Sequence, residues 1–176
     1  MILPAIRDPR FITIRRGGAL TDESHHLLAL WAADCAEHVV SVFESVRPAD
    51  QRPRQAIEAA RRWVAGAVTM TEAKGLAGAA QTAAREVKGV SEAARLATLA
   101  AGQAAVVAHV AAHELGAAAY AIRAVMESVP KTGREAARVA ERDWQRRRLP
   151  EPIRELVFDD QRLRSDLCWH VFDEVR

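Results

Sequence analysis

The run SEAARLATLAAGQAAVVAHVAAHELGAAAYAIRAVMESV, residues 91–129, constrains this chain more than any other feature. It contains no proline, opens on a serine suited to an N-cap, and is built largely of alanine. Such a pattern predicts one long helix. Leu99 and Val106 fall on one side of it, and Leu115, Ile122 and Met126 on the other. A helix that is apolar all round must be enclosed by other helices. Gly102 and Gly116 are the positions where it could bend.

The remaining segments supply those neighbours. Thr21-Asp22 is a helix start, and the stripe Leu27, Trp31, Cys35, Val39, Val42 and Val46 predicts a helix closing before Pro48. Asp50 opens a second helix, with Pro53 in its first turn and Gly66 as its stop. Thr69 and Glu72 stand at capping-box spacing and start a third, ending near Val87, whose Gly75 and Gly78 signal close packing or local mobility. Thr132 and Glu135 repeat the capping-box spacing after Pro130, for a helix ending in Arg146-Arg147-Arg148. LPEPIRELVF predicts a short helix with Pro152 in its first turn, and a last helix is expected from Asp160 onward. Only RFITI, before Gly17-Gly18, has strand character, and one strand is not stable alone. It is expected as an extended arm lying on the bundle, the alternative being pairing with the equivalent arm of a second copy.

The expected fold class is therefore all-α: a bundle of six or seven helices around a long central alanine-rich helix, with an extended N-terminal arm. The expected organisation is one helical domain over residues 1–176, with the arm at 1–20, the bundle at 21–157 and a C-terminal helix at 158–176.

Charge excludes several classes. The chain has 25 Lys and Arg against 23 Asp and Glu, a net charge of +2, which argues against a nucleic-acid binder or a membrane-surface binder. Residues 96–122 are weakly polar, but Gln103, His109, His113 and Glu114 interrupt them, so no membrane span is expected. MILPAIRDPR lacks the apolar core of a signal peptide, and Cys35 and Cys168 lie far apart with no CxxC spacing. Both cysteines are expected as reduced, buried thiols in a cytoplasmic protein.

Two pairs at i, i+4 spacing carry what chemistry the sequence offers. On a continuous helix His109 and His113 share a face with Tyr120, and Asp34 and His38 share a face on the first helix. If these helices pack together, Asp34, His38, His109 and His113 are candidate metal ligands. The same residues with Tyr120 would equally make a structural polar cluster of mutually bonded groups. Cys35 beside His38 has the residue types of a nucleophile pair, but lies in an apolar stripe where a core thiol is expected. Arg134, Arg138, Arg142 and Arg146 form a stripe that could meet phosphates or, better suited, an acidic protein partner, or simply face solvent among Glu135, Glu141 and Asp143. No phosphate loop, dinucleotide fingerprint, nucleophile elbow or calcium loop occurs, so no enzyme activity and no cofactor are expected from motifs.

Three stretches in order, LLALWAADCAEHVV (27–40), RPRQAIEAARRWVAG (52–66) and AGQAAVVAHVAAHELGAAAYAIRAV (101–125), followed by the W-Q-x3-L-P-E-P-I-R-E-L pattern (144–156), resemble the Imm-5-like family of bacterial helical immunity proteins. The resemblance covers about residues 10 to 157. It implies a small antitoxin-like protein that protects the producing cell by binding a cognate toxin encoded beside it. It supplies no catalytic residues. A helical metal protein using the Asp/His cluster, with hydrolytic or redox chemistry, and a self-associating scaffold whose partner is a second copy are the alternatives.

Overall fold

The computed structural model describes residues 3–174. Seven α-helices are formed among them: α1 (Asp22–Glu44), α2 (Arg52–Val64), α3 (Met70–Glu86), α4 (Glu92–Val106), α5 (Glu114–Glu127), α6 (Arg134–Arg147) and α7 (Glu151–Leu163). The caps explain the starts. Thr21 accepts from the Ser24 amide, Ser91 from the Ala94 amide, and Thr69 and Glu72 close a reciprocal capping box. Thr132 does not cap α6; a 3-10 turn at Lys131–Gly133 leads into that helix instead.

α4 packs against α1, α2, α3 and α5, and α5 packs against α1, α4 and α6. Alanine makes this possible. Ala77 and Ala80 of α3 lie against Gly102 of α4, where a Cβ would make ordinary van der Waals contact, 3.5 Å from the Ala77 carbonyl oxygen. Leu28, Trp31, Phe43, Ile57, Leu96, Leu115, Ile122 and Ile153 fill the larger spaces, all but fully buried. Gly75 and Gly78 do not mark close packing: a Cβ at either would point into open space.

The long central helix does not exist as one element. It breaks after Val106, turns through Val107–Val110 and a 3-10 turn at Ala111–His113, and α5 then folds back against α4. Neither glycine is the bend. The carbonyls released by the break are bound from elsewhere: His25 Nε2 lies 2.7 Å from the Val107 carbonyl oxygen, and Arg164 Nη1 lies 2.9 Å from that of Ala112. Those partners are far away in the chain, so helical periodicity could not report them.

The arm is not a strand. Asp8 caps a 3-10 turn at Pro9–Phe11, a second follows at Ile14–Arg16, and only an isolated bridge joins Thr13 to Leu20. With no second strand to pair with, its amides bond locally, as Phe11 N to Asp8 O at 3.0 Å and Gly17 N to Ile14 O at 3.0 Å. Gly17 has φ 83°, and a Cβ on Gly18 would fall 2.0 Å from the Ile12 carbonyl oxygen, so both glycines are required there. Phe11 and Leu20 insert into the core, and Arg10 pairs with Asp159 of α7 at 2.7 Å.

The expected C-terminal helix over 158–176 is likewise replaced. α7 runs through Asp160 to Leu163, a 3-10 turn follows at Asp166–Cys168, and Trp169 and His170 take left-handed backbone angles that reverse the chain. This returns Val171 and Phe172 to the core, while residues 175 and 176 lie outside the described residues. Among the described residues, no helix is long and apolar enough to cross a membrane.

Candidate functional site

The proposed convergence of Asp34, His38, His109 and His113 does not occur. Asp34 accepts from Arg61 Nη2 at 2.9 Å, which ties α1 to α2. His38 turns toward α6, its Nδ1 2.8 Å from Glu141 Oε2 and its ring stacked on Trp144 with centroids 3.6 Å apart. The Arg148 guanidinium lies over the same indole at 4.3 Å. Glu141 is buried and also accepts from Gln145 Nε2 at 2.9 Å.

His109 and His113 remain neighbours, but in the α4–α5 turn rather than on a helix face. His109 Nδ1 lies 3.2 Å from Met70 Sδ, and His113 Nδ1 donates to Gln103 Oε1 across 2.7 Å. Burial holds His113 at a pKa of about 4, helped by the positive charge of Arg164. Tyr120 touches neither histidine; its ring packs on Trp169 at 5.2 Å. Among the described residues no three His, Cys, Asp or Glu side chains are grouped to hold a metal ion. The metal reading therefore loses its ligand set.

Cys35 and Cys168 are free and buried. Desolvation pushes the Cys35 thiol well up and the Cys168 thiol up to about 12, the reverse of what a nucleophile needs.

The arginine stripe of α6 is neither a solvated face nor an open docking face. Arg138 and Arg142 are buried, and their guanidiniums donate to the returning C-terminal segment: Arg138 Nη1 to the carbonyls of Val171 and Asp173, both at 2.8 Å, and Arg142 Nη1 to that of Asp173. Arg146 Nη2 donates to the Phe172 carbonyl at 2.8 Å, and Arg134 pairs with Glu127. The stripe clamps the tail through the backbone carbonyls of Val171, Phe172 and Asp173.

Two features escaped the sequence. The first is a buried charge cluster in which Arg164 Nε donates to Asp160 Oδ1 at 2.8 Å and Nη2 reaches Glu114 Oε1 at 3.3 Å. Glu114 is fully buried, and desolvation raises its pKa well above the usual carboxylate range. In sequence, Glu114 is only an interruption in an alanine run.

The second is a cleft of about 450 Å³ between the arm and the α4–α5 turn. Arg7, Arg15 and Arg16 line it from the arm side, His109 and His25 from the bundle side, and Phe11, Trp63 and Met70 supply apolar surface. Its lining contains no carboxylate. His109 is kept below its ordinary pKa by burial and by the charges of Lys74, Arg16 and Arg7. The dipeptide Arg15-Arg16 was visible in sequence, but its meeting with His109 depends on two departures from regular structure, the arm and the turn.

Against known proteins, a family model described as Imm-5 like putative immunity protein matches residues 18–152. No curated protein and no solved structure matches the chain. The matched residues include α1 through α6, hence His25, Trp63, Met70 and His109; Arg7, Arg15 and Arg16 precede them.

Proposed function

The chain belongs to the Imm-5-like immunity protein family, and from that membership we propose that it neutralises a cognate bacterial toxin in the cytoplasm by direct, non-covalent binding. The family match over residues 18–152 is the observation that carries this reading. The geometry supports a binder rather than a catalyst. Asp34, His38, Glu141 and Arg138 are committed to internal pairs, and both thiols are buried and protonated. An alanine-packed bundle with capped helices presents a pre-formed surface, which lowers the ordering cost of docking.

The test is co-expression with the toxin encoded beside the gene. The toxin alone arrests growth of a heterologous host, and the chain restores it. With purified proteins, protection reaches completion at a one-to-one ratio and leaves the mass of the toxin unchanged. Protection by a small fraction of an equivalent, or a covalent change on the toxin, overturns binding as the mechanism and makes the chain an enzyme.

A further inference from the structure

We propose that the cleft beneath the N-terminal arm is a binding site for a small organic phosphate, a multiply charged oxyanion carried on a flat apolar body. The charge in the cleft has one sign. Arg7 and Arg16 engage no carboxylate among the described residues, and Arg15 touches only Asp22 at 2.8 Å in a pair that is largely exposed, 78% and 59%. Some guanidiniums elsewhere are matched to acids, as Arg52 is to Asp50 and Glu86 and Arg61 to Asp34 and Glu37. Others, such as Arg123 and Arg148, lie over indole rings. What distinguishes Arg7, Arg15 and Arg16 is that they line one concave volume whose lining holds no carboxylate. Guanidiniums that line one cleft free of carboxylates suit it to receive a phosphate.

The side chains of Arg7, Arg15 and Arg16 are exposed, but the backbone that carries Arg15 and Arg16 is held in place. Arg15 and Arg16 sit in a closed 3-10 turn whose following glycine is left-handed, and buried Phe11 and the Arg10–Asp159 pair anchor the arm on the bundle. The floor is apolar: Phe11, Trp63 and Met70, with Trp63 braced on one side by His25 at 4.8 Å between ring centroids. A concave volume of about 450 Å³ falls in the range of small-ligand sites. A bare inorganic ion would leave that floor empty, and an uncharged ring would leave the guanidiniums unmatched.

Calorimetric titration of the full chain at constant ionic strength tests this, with ADP, UMP and phenyl phosphate as organic phosphates. Inorganic pyrophosphate, adenosine and a hexaglutamate peptide are the comparison ligands. At least one organic phosphate is expected to bind about tenfold more tightly than pyrophosphate, and adenosine not measurably. The double variant Arg7→Gln/Arg16→Gln is expected to weaken that binding at least about tenfold. Arg147→Gln, an exposed arginine away from the cleft, leaves it unchanged. Trp63→Leu is expected to weaken the organic phosphate while leaving pyrophosphate as it was. Circular dichroism of each variant separates loss of binding from loss of fold, and a refolded Arg16→Lys variant with partial affinity serves where Gln is not tolerated. The proposal is overturned if none of the three organic phosphates binds, or if binding survives in the double variant. It also falls if pyrophosphate or hexaglutamate binds as tightly, since the cleft would then be a general polyanion surface or a seat for an acidic protein segment.

Discussion

His25, on the first turn of α1, donates its Nε2 proton to the carbonyl of Val107, 82 residues away, across 2.7 Å in the buried interior. Desolvation lowers the pKa of this imidazole, so it is neutral and can donate from only one nitrogen. The bond occupies a carbonyl that has no helical partner because α4 ends there. His25→Ala should therefore cost about 1–3 kcal/mol, the penalty for a buried acceptor left unmatched. His26→Ala, one residue on and only half-buried, should cost about 1 kcal/mol or less. Urea unfolding of both variants makes the comparison.

This bond also marks where sequence reading succeeds and where it stops. Thr21, Thr69 with Glu72, and Ser91 are caps whose partners lie within three residues, and each was legible because the information is local. The family signature was legible for a related reason: it is an order of residue types along the chain. The break at Val107, the reversal at Trp169-His170 and the folded arm were not legible. Each is decided by side chains that bind backbone groups from 26 or more residues away, as Arg164 binds the Ala112 carbonyl and Arg146 that of Phe172, or by the lack of a pairing strand. The candidate cleft inherits that limit, because it exists only where two such irregular segments meet.

Gly75 and Gly78 give a prediction of the opposite sign. Both lie on the exposed side of α3, and neither has an atom within 4 Å of where a Cβ would stand. Alanine there fills no space already taken and removes conformational freedom from the unfolded chain. Gly75→Ala and Gly78→Ala should each stabilise the protein by about 0.5–1 kcal/mol, and the double variant should show nearly the sum. Thermal unfolding checks this. The control is Gly18→Ala, which drives a methyl into the Ile12 carbonyl and should destabilise.

The α6 clamp predicts a local effect rather than a uniform one. Arg138 holds the carbonyls of Val171 and Asp173, and Arg142 also reaches Asp173, from positions only 6% and 4% exposed. Arg138→Met keeps the apolar stem and removes the donors, so residues 171–173 should lose their anchorage before the bundle does. Hydrogen exchange should rise in the segment after Cys168 while α4 and α5 stay protected, with a global cost of about 1.5–3 kcal/mol for the charged hydrogen bonds removed. Equal loss of protection throughout the bundle would show that the tail is part of the cooperative core.

Acid should weaken the fold in a window set by the histidines. His113 has its pKa lowered from 6.5 to about 4 by burial and by the charge of Arg164, and His25 and His109 are lowered for the same primary reason. A depressed histidine pKa means that the unfolded chain takes up protons that the folded chain refuses. Between the two values the unfolded state binds more protons, and stability falls as pH falls. The contribution of His113 is fully present above about pH 6.5, declines through the window, and stops changing below about pH 4. Because His113 keeps some contact with solvent, the loss it causes should be about 1–3 kcal/mol rather than the full value of the shift. His113→Asn cannot titrate, and its amide can still donate to Gln103. Its unfolding free energy should therefore depend less steeply on pH between 6.5 and 4 than that of the parent, measured by urea titration at several pH values. An identical slope would mean that the His113 ring takes up its proton as readily in the folded bundle as in water, so its burial in the α4–α5 turn would not govern its charge.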